Sequence, residues 1–90
     1  MTYPTALSIP ADVMARRVGD ETVLLHLGNG NYFGLDPVGT RFWELISQGL
    51  PLAGATQALL QEYEVSPEQL QRDLESLIKE LLAQGLVIPA

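Results

Sequence analysis

The sequence predicts an α+β, winged-helix-like domain in which a three-stranded antiparallel sheet is followed by three helices. Three observations predict it. The first half holds short segments rich in β-branched and aromatic residues, separated by Gly19-Asp20-Glu21 and Gly28-Asn29-Gly30. In the second half apolar residues recur at helical spacing. Asp36-Pro37 and Ser66-Pro67 each combine a capping side chain with a proline suited to the first helical position.

The strand segments are Val13 to Val18, Thr22 to Leu27 and Asn31 to Leu35. Period-two alternation along the second puts Val23, Leu25 and Leu27 on one face, expected to be the core face, and leaves Leu24 and His26 on the other. Gly28-Asn29-Gly30 tolerates the positive φ that a tight hairpin into the third segment requires. In that segment Phe33 and Leu35 are expected to face the core, with Tyr32 and Gly34 opposite. A sheet of three strands leaves the third with an open edge of unpaired N–H and C=O groups unless another element covers it.

Asp36 as N-cap and Pro37 at the first position open a helix in which Val38, Phe42, Leu45 and Ile46 form a stripe, with Trp43 beside it, until Gly49. A second helix is expected from about Leu52 to Tyr63, with Leu52, Ala55, Leu59 and Tyr63 on one face and Gly54 weakening its first turn. Ser66-Pro67-Glu68-Gln69 reads as a capping box that starts the third. There Leu70, Leu74, Leu77, Ile78, Leu81 and Leu82 spread over an arc of roughly 140°, wider than one packing partner needs. Gly85 ends this helix, and Leu86-Val87-Ile88 is left as a short terminal strand or an apolar tail. Residues 1–11 read as an N-terminal arm on a single domain spanning 1–90.

Composition narrows the function classes. Apolar residues make up 47% of the chain and fall in periodic runs, which argues against disorder. No cysteine is present, so disulfides, thiolate metal sites and a cysteine nucleophile are ruled out. Five Lys and Arg against eleven Asp and Glu give a charge of −6, whose field repels phosphate and makes nucleic acid an unsuitable partner. No apolar run reaches the roughly 18 residues of a membrane span, and the first ten residues lack a signal-peptide pattern, so a cytoplasmic protein without a membrane partner is expected.

Catalytic chemistry finds no support either. His26 is the single histidine and has no partners in the sequence that would make it a base or a metal ligand. Glu62, Glu64, Glu68, Asp73, Glu75 and Glu80 occupy polar helix positions and read as a solvated face. Gly28-Asn29-Gly30 leads into a strand rather than a helix, so it is no phosphate cradle. The expectation is a binder with no catalytic residue, metal or cofactor.

The run Gly30-Asn31-Tyr32-Phe33-Gly34-Leu35-Asp36-Pro37-Val38-Gly39-Thr40-Arg41-Phe42-Trp43-Glu44-Leu45-Ile46 resembles the PqqD-like family: a small residue, an aromatic pair and leucine, then Asp or Asn, and a helix ending in a Trp-Glu-Leu-type run. Glu62-Tyr63-Glu64-Val65-Ser66 and Gln84-Gly85-Leu86-Val87 fit the family's second-helix end and C-terminus, so the resemblance spans about Asp12 to Val87. Its members are recognition elements for ribosomally made, modified peptides.

The resemblance implies non-catalytic binding of a precursor's leader peptide as an extra strand. By position, that assigns Asn31, Tyr32, Phe33, Gly34 and Leu35 as the paired strand, and Leu70, Asp73, Leu74, Leu77, Ile78 and Leu81 as the groove beside it. The aromatic-rich strand and stand-alone size resemble the lasso-peptide branch, whose further partners are a leader-peptide protease and an ATP-dependent cyclase. The alternatives are a PqqD-like chaperone for another peptide-modifying enzyme, a winged-helix nucleic-acid binder and a dimerisation module.

Overall fold

In the computed structural model, which describes residues 4–90, the elements run in the order β1 (Leu7–Ser8), β2 (Val13–Val18), β3 (Glu21–His26), β4 (Tyr32–Leu35), α1 (Pro37–Ser47), α2 (Leu52–Glu62), α3 (Pro67–Ala83) and β5 (Ile88–Pro89). Residues 1–3 of the expected arm lie outside the described residues. The main sheet is antiparallel with the order β2-β3-β4, so β4 lies at an edge. The expected three strands and three helices are therefore present in the expected order. Among the described residues no helix is long and apolar enough to cross a membrane.

The face of β3 that packs inward is the opposite of the one expected. Leu24 is fully buried and Thr22 nearly so, whereas Val23, Leu25 and Leu27 are exposed. Alternation groups residues by face but does not decide which face receives the helices. That choice is made at β4, where Leu35 is buried and passes directly into α1. Antiparallel partners share a face, and Leu35 opposes Thr22 while Phe33 opposes Leu24, so Thr22 and Leu24 turn inward with them. Met14, Val18, Val23, Leu25 and Tyr32 are left on the solvent side. Arg17, on the inward face of β2, reaches α1 and pairs with Glu44 at 2.6 Å.

The hairpin between β3 and β4 turns as expected, with Gly30 at φ +78°, a conformation that side chains with a Cβ rarely adopt. His26 is half-buried in this turn. Its Nδ1 accepts the N–H groups of Gly28 (3.0 Å) and Asn29 (3.3 Å), so the lone histidine holds the loop together.

The helix starts follow their sequence signals with one departure. Asp36 caps α1 by accepting the Gly39 N–H at 2.7 Å, and Phe42, Trp43, Leu45 and Ile46 are buried. Ser66 caps α3 by accepting the Gln69 N–H at 3.1 Å. The reciprocal half of the expected capping box does not form, because the Gln69 side-chain amide donates to Asp73 at 2.9 Å, one turn along. In α2, which has no side-chain cap, Ala55 and Leu59 are buried.

The two ends of the chain meet. Leu86 and Val87 are core residues, and β5 pairs with β1, with the Ala90 N–H donating to the Ala6 carbonyl at 3.0 Å. The segment read from the sequence as an arm thus supplies a strand. Between α1 and α2, Arg41 binds Glu62 through two hydrogen bonds of 2.8 and 3.0 Å and also reaches Glu44.

Leu24→Ala should destabilise the fold by about 2–5 kcal/mol in urea unfolding, while Leu25→Ala should cost under about 1 kcal/mol; the reverse ranking would restore the face expected from alternation. The Arg41 hydrogen bond holds the Glu62 carboxyl below its ordinary value of 4.5. A carboxyl lowered in the folded state stabilises above its unfolded pKa and loses that contribution as pH falls through the folded one. The melting temperature of Glu62→Gln should therefore lie below the parent's at neutral pH, with the gap closing as pH falls below about 4.5; a gap independent of pH would refute the ion pair as its cause.

Candidate functional site

One hydrogen bond fixes the orientation of the β4 backbone. The His26 N–H donates to the Asn31 carbonyl at 2.8 Å, and this pair continues the register in which Leu24 opposes Phe33 and Thr22 opposes Leu35. In an antiparallel ladder hydrogen-bonded and non-hydrogen-bonded pairs alternate. Phe33 and Leu35 accordingly direct their N–H and C=O groups at β3, and Tyr32 and Gly34 direct theirs outward. Among the described residues no other strand pairs with β4.

Beside this edge lies a groove of about 490 Å³. One wall is Phe33, Gly34 and Leu35, continued by Asp36, Val38 and Gly39 at the start of α1. The other is Leu70, Asp73, Leu74 and Leu77 of α3, joined by Tyr63, Glu64 and Val65 from the turn after α2. Gly39 permits the close approach of the two elements at the corner. A Cβ there would come within 3.2 Å of the Asp36 carboxylate and 3.3 Å of the Leu35 side chain.

The wide apolar arc of α3 is divided between two clefts. Leu70 and Leu77 face the β4 groove, Ile78 faces a second cleft of about 440 Å³ against Leu52 and Leu60 of α2, and Leu74 borders both. Leu81 is fully buried and lines neither. Of the residues expected at the site, Phe33, Gly34, Leu35, Leu70, Asp73, Leu74 and Leu77 come together in the groove. Ile78 and Leu81 do not reach it, since the helix rotates them toward α2 and the core.

Asn31 and Tyr32 also lie outside the groove lining. Asn31 belongs to the hairpin turn, where its N–H donates to the Asn29 side chain at 2.9 Å. Tyr32 is 74% exposed on the outer face of the sheet and contributes to the edge through its backbone. Asp36, Val38, Gly39, Tyr63, Glu64 and Val65 were not among the expected site residues. A signal for them exists: both stretches directly adjoin expected elements, 36–39 following the strand and 63–65 preceding the Ser66 cap.

The site offers outward backbone donors and acceptors, an apolar trough and three carboxylates. Among the described residues no group of three His, Cys, Asp or Glu side chains could hold a metal ion. The arrangement suits an extended chain, whose backbone can pair along β4 while alternate side chains enter the trough.

A family model, Coenzyme PQQ synthesis protein D (PqqD), matches residues 21–87. The chain belongs to the PqqD family. Two solved structures are similar to this PqqD-family chain. TbiB1 in complex with the TbiA(beta) leader peptide is 36% identical with a TM-score of 0.83, over 91% of this chain and 95% of that one. Lasso peptide synthetase B1 complexed with the leader peptide, 24% identical with a TM-score of 0.80 over 92% and 98%, shares the fold. No curated protein matches the chain.

The outward direction of the Tyr32 and Gly34 amides has a direct test. Proline lacks the N–H but does no harm where that group faces solvent. Tyr32→Pro and Gly34→Pro should keep the native circular dichroism and a cooperative melt. Phe33→Pro should be about 1–3 kcal/mol less stable than Phe33→Ala, because a ladder carbonyl of β3 loses its donor. Unfolding of the first two variants with tolerance of the third would reverse the assignment.

Proposed function

We propose that this chain is a single peptide-recognition domain that binds the leader region of a ribosomally made precursor by strand addition along β4. The observation that carries this is the open β4 edge, with its Tyr32 and Gly34 backbone groups pointing outward beside an apolar groove. Similarity to TbiB1, whose structure holds a leader peptide, over 91% of this chain supports the same role here. The lasso-peptide branch is the favoured setting, because both similar structures contain a leader peptide and one is a lasso peptide synthetase B1.

Backbone pairing supplies affinity that does not depend on sequence, and the groove supplies selection. Each net hydrogen bond is worth about 0.5–1.5 kcal/mol, and one fully buried apolar side chain about 1.5–3 kcal/mol. Side chains seated against Phe33, Leu70, Leu74 and Leu77 therefore decide which peptide is held.

The domain acts as a presenter rather than a catalyst. It has no cysteine, and the Nδ1 of its single histidine is occupied by two backbone N–H groups. In this proposal a leader-peptide protease and an ATP-dependent cyclase act on the precursor it holds, in the cytoplasm where the precursor is made. No cofactor is required for a binding event of this kind.

Calorimetric titration of the TbiA(beta) leader peptide against the parent and its Tyr32→Pro and Gly34→Pro variants tests the mechanism. Each variant should bind at least about tenfold more weakly, the loss of one charge-neutral hydrogen bond together with a clash at the edge. A folded variant that binds as tightly as the parent would remove β4 from the mechanism. Incubation of the parent protein with a precursor should leave the peptide mass unchanged; cleavage that scales with protein through repurification would contradict the presenter role.

A further inference from the structure

Asp36, Glu64 and Asp73 line the β4 groove, and among the described residues no Lys or Arg does. The cations carried by its flanking helices are engaged or point elsewhere. Arg41 is bound to Glu62 and Glu44, Arg72 donates to the Gln69 side chain, and Lys79 lies outside the lining. Asp36 is committed to capping α1. Glu64 and Asp73 form no salt bridge among the described residues, and Asp73 accepts only a neutral hydrogen bond, from Gln69. Both are exposed at the margin of the trough.

A peptide laid along β4 must bring its side chains past these carboxylates. An acidic segment would meet like charge there, in a protein whose net charge is already −6. A Lys or Arg would meet opposite charge at two points while its apolar stem covers the groove margin. We propose that the segment held in this groove carries Lys or Arg beside the apolar side chain that fills the trough, and that Glu64 and Asp73 are the residues that select it. This rests on the proposal that a peptide adds to β4, and it specifies the chemistry of that peptide. The backbone edge accepts any sequence, so the acidic margin is the feature that distinguishes one extended peptide from another by charge.

The test is selection from a display library of short random peptides on the parent protein, followed by titration of the selected peptides at low and high salt. The expected peptides carry a basic residue at a fixed spacing from a large apolar one. Their affinity for the Glu64→Gln, Asp73→Asn double variant should fall roughly five- to tenfold at low salt and match the parent's at about 1 M salt, where exposed charges are screened within about 3 Å. Replacing the basic residues of the peptide by glutamine, measured on the parent protein, should produce the same loss and keeps the test independent of how the double variant folds. Selected peptides that bind through β4, weakened by Tyr32→Pro, yet show no basic enrichment and no loss on the double variant would overturn the charge selection and leave strand addition standing. Peptides that are insensitive to Tyr32→Pro, or a library that yields no binder, would overturn strand addition and this inference with it.

Discussion

The register between β3 and β4 is the constraint on which the rest of the molecule depends, and the 2.8 Å hydrogen bond from the His26 N–H to the Asn31 carbonyl marks it. Shifting that pairing by one residue would exchange the two faces of β4 and the two directions of its amides at once. Phe33 would leave the groove, Leu35 would leave the core, and Tyr32 and Gly34 would turn their backbone groups toward β3. The short turn holds the register. Gly30 takes the positive φ, and His26 and Asn29 use their side chains to satisfy the loop N–H groups. The residue types that are costly to replace here serve the loop, yet their consequence is felt at the edge.

An exposed strand edge is ordinarily a hazard, since it can pair with any extended chain. In this molecule β4 has four residues, and it passes at once into a capped helix. Such a short edge offers only the backbone groups of Tyr32 and Gly34, too few for tight binding by backbone alone. Apolar surface lies beside the edge in the groove, which α3 keeps open. Leu81 anchors the helix in the core, Ile78 leans toward α2, and Leu70, Leu74 and Leu77 are left to form a wall facing β4. The wide apolar arc of α3 thus serves the core and two clefts.

Electrostatics divides the surface in a similar way. Two of the three cations of the first half join elements: Arg17 ties β2 to α1, and Arg41 ties α1 to α2. Solvent-exposed ion pairs of this kind contribute little each, but they keep basic side chains away from the groove and leave its margin acidic. The exposed apolar residues of the sheet, Met14, Val23, Leu25 and Tyr32, gather on the outer face, away from the groove. Open edge, acidic margin and apolar outer face are therefore distinct surfaces that meet along β4.

The amino-acid sequence alone was enough for the element order, the starts of α1 and α3, the hairpin turn and part of the groove lining beside β4, because each rests on a local signal: a cap, a proline, a glycine, a period. Phe33, Leu35, Leu70, Leu74 and Leu77 could be named from those signals and from family resemblance. Only the tertiary structure decided the inward face of β3. Val23, Leu25 and Leu27 outrank Thr22 and Leu24 in hydrophobicity, but the choice was made on the neighbouring strand β4, by how Leu35 enters α1. It also decided which flank of α3 meets β4, turning Ile78 and Leu81 elsewhere, and it brought residues 63–65 to the groove and β1 to β5. Those are contacts between residues distant in the chain, and periodicity describes a face without saying what will stand opposite it.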